Sequence, residues 1–486
     1  MISWLAIVMM LLPAAGAVLC AFLNEKSRPV ALSSAALSTV AAVWVAFSGF
    51  GSSCSRVVGE LPWLHGMIAA PVFGIAIDPL ALLILLVVVP VGLLTVLYSM
   101  SYLTEKNREH PVASRQYGRY YFWLLLFISS MIGVVLSPNF LQLLFFWELT
   151  TLCSWALISF RQDERSLRAG FKAMLMTQLG GAFLLIVTLI LFARTGSFEF
   201  SAVSKLPDGP RNWVFVFILF AAWAKAAQVP IHTWLPDAME APTPVSAYLH
   251  AAAMVKAGVY LVARTVSSGW SISPRVAALM AGMALLTIFV ALSFYFIQDD
   301  LKRLLAYSTV AHLGYVLLGI GIGSLGARLG YRGGVLHILC HGVAKATLFF
   351  CVGAIAYTTG TRSISALRGL AKSMPLTATA FFVGLLSVTG IPPLGCFWSK
   401  FMIVAGAMRL GGTAGPLIMT LVLCESLISF GWMLYVAQRV FLGAAVSPVP
   451  LQGEPPWAFR VTLIALMIGC LAAPMVGVPL VRFMGT

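Results

Sequence analysis

The chain has 486 residues, 60% hydrophobic and only 10% charged, where soluble domains carry about 25% charge. That composition excludes a soluble globular enzyme and fits a polytopic membrane protein. The net charge of +15 does not point to nucleic acid, because the 31 Lys and Arg lie in short loops between apolar stretches and form no basic domain; the positive-inside bias of membrane loops accounts for them.

A crossing helix needs ~20 mostly apolar residues. That rule predicts an all-α protein of about fourteen transmembrane helices, at 3–23, 29–50, 78–103, 119–136, 138–160, 167–194, 211–236, 243–267, 273–297, 301–322, 331–357, 377–408, 415–442 and 458–483. The first stretch, MISWLAIVMMLLPAAGAVLCAFL, lacks a basic leader and reads as a spanning helix, not a cleaved signal. The polar intervals 51–77, 104–118, 195–210 and 443–457 are short, so no soluble domain is expected. With the N-terminus outside, the inner loops hold 16 Lys and Arg, Lys302 and Arg362 among them, against 10 in the outer loops, Arg264 among them. Both termini are therefore expected outside.

Two spans are interrupted by proline near a lysine. Span 7 carries Lys225 and Pro230 in AAWAKAAQVPIHTWLPDAMEAPTPVSAYLHAAAMVKAGVYLVAR, which also holds Pro236, Pro242 and Pro244. Span 12 carries Pro392, Pro393 and Lys400 in TGIPPLGCFWSKF. Proline frees a carbonyl and bends a helix. Paired broken helices five spans apart predict two inverted five-helix repeats, spans 4–8 and 9–13. The expected division is 1–118 for spans 1–3 and their loops, 119–267 and 268–442 for the repeats, and 443–486 for the last loop and span.

Glu148 and Glu425 are the acidic residues expected deep in the membrane. Lys172, Lys225, Lys256, Lys345 and Lys400 lie in or at spans, and no arginine is expected deep. A buried lysine costs about 2.5–3.5 kcal/mol on insertion scales, so it faces a partner or water and marks an ion path. Lysine releases its proton when desolvated, which arginine does not. His337, His341 and Lys345, at i, i+4 and i+8, fall on one helix face. They suit a stepwise relay, the alternative being packed core histidines. Glu148 and Lys225 are the expected ion pair, either part of a proton path or a purely structural bridge between spans. Glu425 reads equally as a helix–helix hydrogen bond or a second acidic station, and Lys172, near a span end, as a snorkelling side chain.

The eight cysteines form no CxxC and read as small buried hydrophobes. Gly321, Gly323 and Gly326 match a dinucleotide-binding spacing but follow a membrane helix, not a strand, so close helix packing or a turn is expected. His232, Asp237 and Glu240 sit in a connecting loop, where capping is expected instead of a metal site.

LLFFWELTTLCSWALISF, the span-7 stretch above, DDLKRLLAYSTVAHLGYVLLG, HILCHGVAKATLFF and SVTGIPPLGCFWSKF together resemble the antiporter-like subunits of respiratory complex I, a family shared with multisubunit sodium/proton antiporters and membrane-bound nickel–iron hydrogenases. The resemblance covers roughly 75–485. Within the family, YSMSYLTEKNREHPVASRQYGRYYFWLL is most similar to the hydrogenase-4 component D branch, of formate-hydrogenlyase type. The resemblance implies a fourteen-helix fold with a polar axis at mid-membrane. It gives Glu148 and Lys225 as the first acid–base pair and His250 as the station of span 8, with Lys256 a variable addition. It gives His337, His341 and Lys345 as the central relay and Lys400 as the terminal station. It also implies that the long lateral helix of some relatives is absent.

The expected function is proton translocation within an energy-converting oxidoreductase complex, protons entering near Glu148 and Lys225 and leaving near Lys400. Sodium/proton exchange and a structural membrane anchor are the alternatives. The chain is not expected to be catalytic alone or to hold a cofactor. The expected partners are other antiporter-like subunits, a proximal membrane subunit, soluble iron–sulfur and hydrogenase subunits or a quinone-reducing arm, and the bilayer of a bacterial inner membrane.

Overall fold

The structure, a computed structural model, describes residues 2–49, 55–59, 72–444 and 453–484. Cys54 and most of the intervals 51–77 and 443–457 lie outside the described residues.

The chain opens with a helical pair, α1 (Ile2–Leu23) and α2 (Ser27–Gly49), joined by a single tight turn at Asn24–Lys26. Two strands, β1 (Ser55–Gly59) and β2 (Phe73–Ile77), pair antiparallel with Ser55 opposite Ile77, the one departure from an all-helical reading among the described residues. α3 (Pro79–Tyr102), α4 (Tyr117–Leu136), α5 (Phe140–Ile158) and α6 (Glu164–Thr195) follow. Asp78, Asn139 and Asp163 cap α3, α5 and α6 by accepting from main-chain amides of the first turn, as short polar side chains do at helix starts.

Span 7 departs from its expected limits. α7 (Asp208–Lys225) ends on the lysine, and the chain then turns through Ala227 (φ 48°) and the cis Val229–Pro230 bond into the short α8 (Trp234–Asp237). Pro242 and Pro244 do not break this helix. They start the next one, α9 (Thr243–Ala251), where a missing amide proton costs nothing. Span 8 is itself interrupted: α9 stops at Ala251 and α10 (Met254–Ser267) begins after Ala252 and Ala253.

The second half repeats the order of the first. α11 (Pro274–Ser293), α12 (Leu301–Ser324) and α13 (Arg328–Thr359) precede a broken span, α14 (Pro375–Thr389) and α15 (Gly395–Ala407), split by Gly390 and the cis Pro392–Pro393 bond. α16 (Ala414–Phe441) and α17 (Trp457–Arg482) complete the chain. α6 and α13, each 32 residues long, are the third helix of their five-span runs.

Among the described residues, eleven helical segments are long and apolar enough to cross a membrane, against the fourteen expected. The difference lies at three places: α1 and α2 run together as one segment, and the two proline-broken spans, 7 and 12, fall short in pieces. The expected glycine contacts are present. Gly321 meets Ala281, Gly323 meets Tyr331, and Gly326 (φ 105°) turns the chain into α13.

α9, α10, α12 and α13 are buried almost throughout. The outer helices instead present Phe22, Phe47, Leu189 and Leu427 to the surroundings. This inverts the soluble pattern: apolar side chains face outward, and the polar ones gather at the centre, where other helices satisfy them.

Candidate functional site

Lys225 is fully buried at the end of α7. Its ammonium donates to the Trp147 carbonyl and the Thr151 hydroxyl, both at 2.7 Å, and sits 4.7 Å from the centre of the Trp147 ring. The direct ion pair expected with Glu148 is not formed. Trp147 and Thr151 share one face of α5, while Glu148 lies about 100° around that helix. Its half-buried carboxylate lines an apolar cleft with Phe145, Leu149, Met174 and Gln178. Gly181 of α6 faces it, and a Cβ there would overlap the carboxylate. The two charges still interact through space.

The centre is a cluster of three histidines, not two. His312 of α12, passed over in the sequence, lies against both members of the α13 stripe. Its Nδ1 is 3.0 Å from His337 Nε2, and its ring stacks 5.0 Å from that of His341. His337 Nδ1 meets the Ser399 hydroxyl at 2.7 Å, one residue before Lys400. His341 Nδ1 is 2.6 Å from Lys256 Nζ, which places Lys256 inside the cluster. Lys345 donates to the Leu305 carbonyl at 3.1 Å. His250, the last but one residue of α9, is wholly buried against the Phe349 ring, and neither ring nitrogen has a hydrogen-bond partner.

Lys400 ends the row. It donates to the carbonyl of Thr389, the last residue of α14, at 3.3 Å and to the Ser426 hydroxyl at 3.0 Å, and lies 3.9 Å from Glu425. Tyr315 donates to the same Glu425 oxygen and sets its ring 4.6 Å from the lysine. Glu425 is therefore paired with Lys400.

Other charges stand apart. Lys172 pairs with Asp237 at 2.6 Å on a part-exposed surface, away from this row. Asp237 also meets Arg303, and Glu240 meets Arg161, so the connecting-loop carboxylates hold cations instead of capping helices. Two residues assigned to loops are buried. Arg264 binds Asp78 and Tyr260 in the last turn of α10, buried within the protein although it lies near the end of its span. Lys302 donates to the carbonyls of Met239 and Ala241. The signal for His312 was present, a histidine in mid-span, but spacing rules compare residues along one helix and this partner lies on another. Asp78, next to Pro79 at a span start, reads as a cap, and its second role shows only in three dimensions.

Chemically the row offers imidazoles that both accept and donate protons and ammonium groups held by main-chain carbonyls and hydroxyls. Five of the expected residues, Lys256, His337, His341, Lys345 and Lys400, gather around His312. His250 lies on the side of Lys345, and Lys225 and Glu148 stand apart from this cluster.

Residues 137–429 match the family described as NADH:quinone oxidoreductase/Mrp antiporter, transmembrane. Residues 63–121 match the N-terminus of chain 5 of NADH–ubiquinone oxidoreductase (complex I). Subunit 5 of the chloroplastic NAD(P)H-quinone oxidoreductase of Chara vulgaris is 37% identical over 376 residues, 73% of this chain and 54% of the relative. Its counterpart in Anthoceros angustus is 39% identical over 353 residues, 68% and 46%. The chain thus spans about half the length of these relatives. A chain of the Mrp complex from Dietzia sp. DQ12-45-1b superposes with a TM-score of 0.85 at 29% identity, covering 98% of this chain and 52% of that one. A chain of the membrane-bound sulfane sulfur reductase, an archaeal respiratory membrane complex, gives 0.86 at 22% identity over 99% and 78%, a likeness of fold alone.

Proposed function

The chain belongs to the NADH:quinone oxidoreductase/Mrp antiporter family of membrane proteins, and on that premise we propose that it is a proton-translocating subunit of an energy-converting oxidoreductase complex. The observation that carries this reading is the histidine cluster. Lys256, His341, His312, His337 and Ser399 make successive contacts of 2.6 Å, ring stacking, 3.0 Å and 2.7 Å, ending beside Lys400. A proton taken up by one imidazole nitrogen is released from the other, so each histidine passes charge without moving far.

Energy comes from electron transfer in partner subunits, and no cofactor is assigned to this chain. Among complexes of this kind we favour the membrane-bound nickel–iron hydrogenase type, hydrogenase-4 or formate hydrogenlyase, on the 98–125 stretch quoted above; respiratory complex I and sodium/proton antiporters are the alternatives. Other antiporter-like membrane subunits and soluble iron–sulfur and hydrogenase subunits are the partners this implies. The location it implies is a bacterial inner membrane with both termini outside. Sodium requires several oxygen ligands, and the two deep carboxylates, Glu148 and Glu425, sit at separate stations, which favours protons.

The test is proton transport per electron in vesicles holding the whole complex. Lys225→Ala and Lys345→Ala are expected to abolish it while assembly persists. Undiminished transport in both refutes the assignment, and transport that requires sodium replaces it with cation exchange. Normal assembly and electron transfer without any transport in the wild type makes the chain an anchor.

A further inference from the structure

We propose that the polar vestibule on the basic face is the proton intake of this path, with Glu109 receiving the proton and Lys302 passing it inward to Lys345. This rests on the proton-translocating reading above and gives it an opening that the first acid–base pair lacks, since the cleft beside Glu148 is apolar.

The vestibule is a polar cavity of about 680 Å³ whose wall includes Glu109, Arg161, Glu240, Asp300 and Arg362. It forms where the chain leaves α3, α5, α8, α11 and α13, all of which end on the face with the denser Lys and Arg. At its base the Glu109 side chain is 6% exposed. It accepts from the Tyr102 hydroxyl at 2.9 Å, with Arg362 Nε at 3.2 Å and His110 Nε2 at 3.4 Å. Burial pushes this carboxyl up, but Lys302, Arg362 and His110 outweigh burial and hold it below its usual range. It therefore faces the cavity as a carboxylate, which holds an incoming proton only briefly before yielding it inward.

Lys302 lies behind it, 1% exposed, with its ammonium on the carbonyls of Met239 at 2.8 Å and Ala241 at 2.7 Å, and it interacts with Glu109 and Asp300 through space. Lys302 begins a stripe along α12. The Leu305 carbonyl, one turn on, accepts from Lys345, and His312 follows two turns later on the same face. One helix thus joins the cavity floor to the histidine cluster. A second contact converges on the same point: Tyr102 OH lies 3.3 Å from Thr243 Oγ1, at the start of α9, and the other end of α9 carries His250 with both ring nitrogens unbonded. The Lys302 ammonium gives a proton to the Lys345 amine, the Glu109 carboxylic acid formed by uptake from the cavity then reprotonates the Lys302 amine, and Lys345 resets by passing its proton to the histidine cluster, so each group returns to its starting form. No electrons are exchanged.

The competing explanation is structural, Lys302 tying down the turn at 239–241. Vesicles holding the whole complex separate the two. Glu109→Gln is expected to lower proton transport per electron by about tenfold or more, with Glu109→Asp restoring most of it. Ser363→Cys, on the cavity wall, is expected to transport normally until a bulky anionic thiol reagent reaches it from the basic face, and then to fall to the Glu109→Gln level. Full transport in Glu109→Gln, or in fully labelled Ser363→Cys, while Lys225→Ala is inactive, overturns the intake and leaves the function standing. Full transport in all three overturns both. Should Glu109→Gln fail to assemble, the labelled cysteine decides alone.

Discussion

His312 Nδ1 stands 3.0 Å from His337 Nε2 while its ring stacks on His341, so one imidazole of α12 bridges two of α13. Replacing it with phenylalanine keeps the stacking and removes both nitrogens. His312→Phe is expected to assemble with near-normal thermal stability and to lose proton transport by about 100-fold, the scale of a missing proton-transfer group. Transport in vesicles and a melting curve of the purified complex check the two halves of that statement.

Lys400 and Glu425 share a buried site with Tyr315. Lys400→Met leaves the carboxylate uncompensated and is expected to cost about 3–5 kcal/mol of stability. Adding Glu425→Gln should recover most of that stability and none of the transport. Thermal unfolding of the single and double variants, read beside transport, checks it.

Arg264 and Asp78 form a second pair, its carboxylate less buried than Glu425, in the last turn of α10 and apart from the histidine row. Asp78→Ala is expected to destabilise by a similar ~3–5 kcal/mol, because it also strips the cap from α3. Complexes that do assemble should carry wild-type transport per electron, which separates this pair from Lys400 and Glu425.

Gly181 leaves room for the Glu148 carboxylate. Gly181→Ala is expected to displace that side chain at a cost of about 1–3 kcal/mol and to reduce transport, whereas Gly209→Ala, with open space around its Cβ position, should do neither. Parallel transport assays on the two variants decide.

His110 lies in the loop after α3. Burial, with Arg161, Lys302 and Arg362 nearby, pushes its imidazole from 6.5 down to about 4, against the opposing pull of Glu109. The folded state binds the proton more weakly than the unfolded state, so the stability this confers is complete above about pH 6.5 and is lost as pH falls through about 4. His110→Gln is expected to flatten the fall in melting temperature between pH 6.5 and 4.5.

The spans were legible because long apolar runs have few other uses, and the breaks at Pro230 and Pro392–Pro393 because proline announces itself. His337, His341 and Lys345 were legible from helical period. The break after His250 was not: Ala252 and Ala253 carry no glycine or proline signal, and tertiary packing alone opens the helix there. Lys302 and Arg264 were counted with loops because each lies within three or four residues of a helix end, where sequence cannot tell a side chain pointing to solvent from one folded inward. Glu148 and Lys225 were paired by charge, but the end of α7 brings the ammonium to the Trp147 and Thr151 face of α5.

Lys225, Lys302, Lys345 and Lys400 each rest on a peptide oxygen of another segment: Trp147, Met239 with Ala241, Leu305 and Thr389. Such oxygens neither titrate nor vary with residue type, so a scan of substitutions would leave these contacts in place. What would alter them is a shift of one rod against its neighbour by an ångström or so, and such a displacement would change the proton affinity of the lysine it carries.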